Sequence, residues 1–344
     1  KYEFKVCNKQ VKIKFSIRHS YFNFKTKITV LEKISKKLYQ ILEESCNSCE
    51  SELIALSGGL DSSILAHFLK KRNIEGVAII SEDFVSTDLT YCQRISKETE
   101  IPLTIHSTTT SEILEAIENT IKILKNFNDI EIRNNVVMYL AIKWAKDNNK
   151  KSIITGDGAD ELFAGYNFLV NKSEKELEIE IKRLCSIMHF PTQKIGKALG
   201  IKIESPFLNE KVIEIANEIS PNLKVKEEKD TRYGKWILRK TFENYIPKQI
   251  AWRKKSPMQD GAGTVGLTNL FESIINEETY VEKKLIVEKN DQVVIRNRES
   301  MYYYEIFKKL YGSPVQNEAE YKCPYCKHEV SNSKFCRMCG AFPI

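Results

Sequence analysis

The sequence predicts an α/β fold: a parallel sheet with helices on both faces, then a mainly helical extension and a small cysteine-rich unit. Three observations carry this. Short apolar runs alternate with helix-period stretches between about residues 30 and 155, the pattern of successive βαβ units. Two of those runs stop abruptly at glycines, in Ser57-Gly58-Gly59-Leu60-Asp61-Ser62-Ser63 and Gly156-Asp157-Gly158-Ala159-Asp160-Glu161; ligands of open parallel sheets bind at that carboxyl edge. Finally, Cys323-Pro324-Tyr325-Cys326 and Cys336-Arg337-Met338-Cys339 form paired CxxC knuckles near the C-terminus.

Taken in order, residues 1–28 alternate Lys with Val, Ile and Phe, which predicts one or two strands. Leu31, Ile34, Leu38, Ile41 and Leu42 fall on one helical stripe, predicting a helix over 30–44. A strand over 52–57, a helix over 62–72, a strand over 76–80, a helix over 88–98 and a strand over 102–106 follow. Helices over 111–125 and 133–148 then lead to a strand over 151–155. Residues 172–312 read as mainly helical, and Gly312-Ser313-Pro314-Val315-Gln316-Asn317 as a linker. The expected division is therefore 1–28 (β segment), 29–170 (α/β core), 171–312 (helical region) and 313–344 (linker and cysteine unit).

With 344 residues the chain can bury a sizeable core. Its apolar share of 42% and charged share of 29% are those of an ordinary globular protein. No apolar run approaches the roughly 20 residues of a membrane span, and Lys1-Tyr2-Glu3-Phe4 opens no signal-peptide apolar region, so a cytoplasmic location and no membrane partner are expected. The net charge of +7 is spread over interspersed lysines and acids; this favours a solvated lysine-rich surface over a dedicated nucleic-acid face.

Physical chemistry assigns roles to the two loops. Gly58 and Gly59 let the backbone turn tightly and approach a ligand. The N–H groups of the turn and of the following helix then point outward under the positive end of the helix dipole, an anion site suited to pyrophosphate. Ser57, Ser62 and Ser63 add hydroxyl donors. Asp61 makes no sense against phosphate unless a Mg²⁺ lies between them, and Asp160 on the neighbouring strand end offers the metal a second carboxylate. The spacing is not that of a Walker loop. Cys323, Cys326, Cys336 and Cys339 have the spacing of a closed four-thiolate Zn²⁺ site. Of the five other cysteines, Cys46 and Cys49 share CxxC spacing without a second pair nearby and read as ordinary thiols at a helix end.

The first loop resembles the pyrophosphate loop of ATP pyrophosphatases. The segment 156–166 is similar to the acidic signature of the synthetase domain of asparagine synthetase and of its relative β-lactam synthetase. Lys235-Trp236-Ile237-Leu238-Arg239, Ile246-Pro247 and Trp252-Arg253-Lys254-Lys255-Ser256-Pro257-Met258-Gln259-Asp260-Gly261 resemble the asparagine synthetase stretch that carries the catalytic lysine, at Lys255, with Lys235 at an upstream lysine; 299–307 resembles its closing helix. The likeness covers about residues 29–311. It implies an adenine nucleotide α-hydrolase-like fold and an AMP-forming ligase that uses ATP and Mg²⁺ (on Asp61 and Asp160). In such a ligase Leu56, Ser57, Gly58, Gly59, Asp61, Ser62, Ser63, Ile80 and Gly156 hold the nucleotide. Lys255, Asp157 and Lys235 serve the chemistry, and Asp157, Asp160, Glu161, Asn209 and Asp88 hold the acceptor. For Asp88, a simple helix-N-terminal acid is an equal reading.

The acceptor half departs from the pattern. Asp157 stands where Glu is usual, Asn209 where Asp is usual, and Glu204 where Arg is usual. Adenylation of a small carboxylate, aspartate or a related acid, is thus expected, with ammonia as the amine. Only about 50 residues precede the first loop, so glutamine hydrolysis is expected to be absent and ammonia to come free or from a separate glutaminase subunit. An RNA-modifying ATP pyrophosphatase that adenylates a base is the alternative, favoured by the cysteine unit with Lys322, Lys327, Lys334 and Arg337. A purely binding protein fits less well with Asp61, Asp160 and Lys255 kept together. The cysteine unit is expected to stand apart from catalysis and to dock an RNA or an acidic protein surface.

Overall fold

A computed structural model describes residues 17–83, 88–254, 266–315, 318, 320–330 and 334–344, with backbone alone over 17–29. Its centre is a five-stranded parallel sheet: β1 (Leu53–Ala55), β2 (Glu75–Ser81), β3 (Leu103–Thr108), β4 (Ser152–Ile154) and β5 (Lys202–Glu204), in the order β3-β2-β1-β4-β5. Leu53 lies opposite Glu75, and Ile54 opposite both Gly76 and Ile154.

Side-chain alternation along the strands separates two cores. Leu53, Val77, Ile79 and Ile153 share one core with Ile132, Val136 and Leu140 of the helix Asp129–Asp147. Ile54 and Ile154 face the other, with Ile64 and Leu65 of the helix Leu60–Leu69 and with Trp236 and Ile237 of the helix Trp236–Phe242. Burial on both faces is what made these strands read as continuous apolar runs. Side-chain caps start several helices: Thr109 and Glu112 form a reciprocal capping box at Thr110–Leu124, and Asn128 caps Asp129–Asp147. The latter helix thus begins four residues before the position its apolar periodicity alone predicted.

Three expectations need correction. Residues 17–28, read as β, are helical, because Ile17–Asn47 is one helix; residues 1–16 lie outside the described residues. The region read as helical also supplies β5, which completes the sheet, and an antiparallel hairpin of β6 (Lys226–Glu228) and β7 (Thr231–Tyr233). A three-residue strand is too short to leave a periodic signature. And the cysteine unit is not set apart. Its four cysteines belong to the same apolar core as Leu53 and as Tyr303 and Phe307 of the helix Arg298–Tyr311. Backbone hydrogen bonds from Phe127 N–H to the Met338 carbonyl (2.9 Å) and from Val294 N–H to the Tyr325 carbonyl (2.7 Å) fasten it down. Among the described residues no helix is long and apolar enough to cross a membrane.

His67 reports on the second core. Its ring packs against Phe68 and Tyr245, its Nε2 lies 3.1 Å from the Tyr39 hydroxyl, and its Nδ1 is buried without a hydrogen-bond partner among the described residues. Burial, aided by Lys70 and Lys71, pushes its pKa down to about 4. The unfolded chain therefore takes up this proton first, so the histidine favours unfolding progressively as pH falls from about 6.5 to about 4. Denaturant titrations at pH 7 and pH 4.5 should show His67→Phe losing less stability across that interval than the parent chain.

Candidate active site

Strand order reverses between β1 and β4, and both glycine loops leave the sheet there, the position at which open α/β sheets bind ligands. After β1, Leu56 still donates its N–H to Val77, and then the chain turns. Gly58 is left-handed (φ +65°), and a Cβ there would sit 2.5 Å from the Cys92 backbone nitrogen. Only glycine fits. Gly59 caps the helix Leu60–Leu69 without any side-chain hydrogen bond to its first N–H groups, which leaves them for a ligand. The Ser57 and Ser62 hydroxyls lie 3.2 Å apart, and the Ser57 oxygen accepts from Gly59 N–H at 3.3 Å.

The second loop comes to meet the first. A Cβ on Gly156 would lie 3.1 Å from that of Asp61. At the junction Lys235 places its Nζ 2.6 Å from Asp61 Oδ2 and 2.7 Å from Asp160 Oδ1, with its side chain only 4% exposed. Desolvation opposes the charge, but Asp160 and Asp61 outweigh it and hold the lysine pKa above its ordinary value. Room for this contact comes from Gly165, where a Cβ would fall 1.9 Å from Asp160 Oδ1 and 2.2 Å from Lys235 Cε. Sequence reading gave the space between the two carboxylates to a metal; the structure puts an ammonium in contact with both. Among the described residues Asp61 Oδ1 is buried without a hydrogen-bond partner, an oxygen a cation would satisfy.

These groups floor a cleft of about 650 Å³, the size of a small-molecule site. Of the residues singled out in the sequence, Leu56, Ser57, Gly59, Asp61, Ser62, Gly156, Asp157, Asp160, Glu161, Asp88 and Lys235 line it. Gly58 and Ser63 shape the loop from behind instead, and Ile79 rather than Ile80 reaches the cleft. Lys255 lies outside the described residues. Asn209 does not line the cleft; it is the N-cap of the helix Glu210–Glu218, its Oδ1 accepting from Lys211 N–H at 3.1 Å. Glu204 likewise turns away: it accepts from the Glu50 and Ser51 N–H groups (both 2.9 Å) and pairs with Lys202 at 2.8 Å. These partners outweigh its desolvation and hold its pKa down.

Three cleft acids sit in dry surroundings. Burial pushes Asp157 up, against hydrogen bonds from the Thr192 and Thr155 hydroxyls. It raises Glu161, which accepts from Tyr166 at 2.6 Å and feels the Asp160 charge. It raises Glu131 too, against a hydrogen bond from Asn126. Asp88 pairs with Arg253 at 2.7 Å, and the Arg253 guanidinium lies 3.9 Å from the centre of the Tyr91 ring.

Sequence reasoning assigned no role to Arg239. Buried, it donates to the Gly234, Ala251 and Arg253 carbonyls at 2.7–2.9 Å, fixing the segment that leads into Lys255. A buried arginine satisfied by three carbonyls has no sequence signal beyond its place in the Lys-Trp-Ile-Leu-Arg motif.

At the C-terminus the four cysteine Sγ atoms lie within 4.8 Å of one another, with Cys323–Cys339 at 3.7 Å and Cys326–Cys336 at 3.6 Å. Those separations are far too long for disulfides. Lys327 and Gly340, each directly after a CxxC, are left-handed, so both knuckles turn in the same way.

The molecule is thus a doubly wound α/β protein with a nucleotide-type loop and a charged lysine–carboxylate centre at its switch point. The family model described as asparagine synthase matches residues 34–183 and 170–331, and the chain belongs to that family. It is 29% identical over 308 residues to asparagine synthetase B [glutamine-hydrolyzing] of Escherichia coli, covering 82% of this chain and 55% of that protein. Similarity to asparagine synthetase [glutamine-hydrolyzing] 2 of rice is 28% over 282 residues, covering 75% and 47%. The chain thus spans about half the length of the curated relatives it matches. An NMN synthetase structure from Francisella tularensis aligns over 55% of this chain and 92% of its own at 16% identity, with a TM-score of 0.28.

Replacing Lys235 by Met should leave Asp61 and Asp160 facing each other without a counter-charge. The expected cost is about 3 kcal/mol, the scale for removing one partner of a buried ion pair, read as a lower urea midpoint with unchanged slope. Adding Asp61→Asn to that variant should recover part of the loss.

Proposed function

We propose that this chain is an ATP-dependent, AMP-forming amide ligase of the asparagine synthetase kind. It activates a small carboxylate and passes it to ammonia. The observation that carries the reading is the Lys235–Asp61–Asp160 centre at the ends of two adjacent strands, beside a glycine loop with free helix N–H groups.

The loop 57–62 holds the β- and γ-phosphates through its N–H and hydroxyl groups. A carboxylate oxygen of the acceptor attacks the α-phosphorus, and pyrophosphate leaves toward the loop. Lys235 stands ready to offset the charge that develops there. The donor set fits Mg²⁺, because among the described residues Asp61 Oδ1 is buried without a partner and hard oxygen ligands suit that ion. Asp61 and Asp160 would hold it, and its charge would help to neutralise the leaving pyrophosphate. Lys255, by its likeness to the family lysine, stabilises the α-phosphate and then the tetrahedral intermediate formed when ammonia attacks the acyl-adenylate. Asp157, held by two threonine hydroxyls at the rim of the second loop, lies where it can accept a proton from the incoming amine. Among the described cysteines outside the four-cysteine cluster, burial raises every thiol pKa, Cys49 to about 11 and Cys92 to about 12. Burial thus holds these described thiols away from the reactive thiolate form.

ATP–pyrophosphate exchange with aspartate, with a panel of carboxylates and with bulk tRNA tests this reading. Exchange on a carboxylate, and AMP rather than ADP as product, are expected. Asp61→Ala and Asp160→Ala should abolish turnover, and Lys255→Ala should slow the chemical step by about 3 kcal/mol with ATP affinity largely kept. Ammonium should support amide formation and glutamine alone should not. Exchange that requires tRNA would give the site to base adenylation instead.

The cysteine cluster is proposed to hold one Zn²⁺. A tetrahedron with arms of about 2.3 Å has edges of about 3.8 Å, close to the 3.6 and 3.7 Å sulfur separations. All four thiols are turned inward and buried, which closes the shell to chemistry. Elemental analysis should find one zinc per chain, and Cys336→Ser should lose it together with the order of the C-terminal unit, seen as new protease cuts after residue 320.

A further inference from the structure

The cleft has a wall that neither the family resemblance nor the nucleotide chemistry explains. Phe335, adjacent to the cluster ligand Cys336, lines it together with Tyr166, Phe168, His189 and Phe190. Tyr166 and Phe168 stack with ring centres 5.7 Å apart and planes 21° apart, and Phe168 is 51% exposed. Phe335 arrives there because the cysteine unit is clamped to the N-terminus of the helix Asp129–Asp147. Arg296 bridges Asp129 (2.8 Å) and the Cys339 carbonyl (2.7 Å), Arg337 donates to the Ile187 carbonyl, and Gly340 is packed so closely that a Cβ would fall 2.5 Å from Asn128 Oδ1.

The charges around this end do not suit aspartate. Glu131, Asp157 and Glu161 line it, and they would repel the second carboxylate of a dicarboxylic acid. The described cations of the cleft, Lys235, Arg239, Arg253 and Lys254, come from the segments beside the nucleotide loops. Lys235, Arg239 and Arg253 are already engaged with Asp61 and Asp160, with carbonyls and with Asp88. Burial, aided by Arg337 and Lys194, pushes the His189 pKa down to about 4, yet neither cation lines the cleft. Asn209 and Glu204, at positions of the family's acceptor pocket, face elsewhere. Beside Glu131, Asp157 and Glu161, the ring faces of Tyr166, Phe168, Phe190 and Phe335 make up the apolar part of this end.

We propose that Phe335, carried into the cleft by the four-cysteine unit, is a specificity-determining residue, and that the acceptor is a monocarboxylate on a flat, apolar or aromatic body rather than aspartate. Ring faces recognise such a body by offset stacking, and burial of its surface supplies the affinity. This rests on the amide-ligase reading and refines its acceptor.

The test uses the full zinc-loaded chain in ATP–pyrophosphate exchange, with benzoate, phenylacetate, the aromatic amino acids and aspartate as separate acceptors. At least one aromatic monocarboxylate should be used with a kcat/KM well above that of aspartate. Phe335→Ala should lower that value roughly tenfold or more, through KM, with ATP affinity unchanged; Phe335→Leu, which keeps apolar bulk, should recover much of it. Thermal melting of both variants checks that the fold is kept. Preference for aspartate, or equal KM in Phe335→Ala and the parent, overturns the inference and leaves the ligase reading standing. No exchange with any carboxylate, or exchange that needs tRNA, removes the ligase reading and this inference with it.

Discussion

One buried ammonium holds the working end of the sheet together. Lys235 touches a carboxylate from each of the two glycine loops, so the ends of β1 and β4 and the helical region are pinned at a single point. Bringing Asp61 and Asp160 within reach of one nitrogen would be unfavourable without that charge. The surroundings are built around it. Gly165 has no side chain because the Asp160–Lys235 contact occupies that space. Lys235 itself takes a left-handed backbone at the start of its helix, with its N–H bonded to the Phe163 carbonyl. Arg239, one helical turn on, ties down the segment that runs toward Lys255.

The loops were legible because their chemistry is local. Two glycines between an apolar strand and a helix, with serines and an aspartate, can be read from seven consecutive residues. The four cysteines are equally plain, since metal geometry imposes their spacing. Contacts between distant segments were not. Nothing near Lys235 announces that its partners lie 174 and 75 positions earlier in the chain. Asn209 shows the converse. Position in a motif suggested it for the acceptor, whereas in the structure it caps a helix; Glu204, a departure from the pattern at a position where Arg is usual, is held by two backbone N–H groups beside β1. The 1–28 segment misled for another reason: alternation of lysine with β-branched residues satisfies a strand template, but from Ile17 onward the chain continues as the helix that ends at Asn47.

The clustering of the four cysteines was legible in their spacing, whereas the packing of the unit against the rest of the chain was not. A Gly-Ser-Pro stretch before paired knuckles suggests a tethered module. Burial of all four cysteines in the main core, and the Arg296 bridge to Asp129, make it part of the wall of the cleft. The cleft is thus lined both by the two glycine loops and by residues of the C-terminal cysteine unit, stretches of chain far apart in sequence.

The 174 residues between Asp61 and Lys235 also have a meaning in time. At ribosomal rates of about 5–20 residues per second, the glycine loop leaves the peptidyl-transferase centre roughly 9–35 s before its counter-charge is even synthesised. Phe335 follows later still. A nascent chain can therefore lay down β1, β2 and β3 in order, yet once Asp160 follows, it holds two facing carboxylates until Lys235 is made, and a cleft short of one wall until Phe335 arrives.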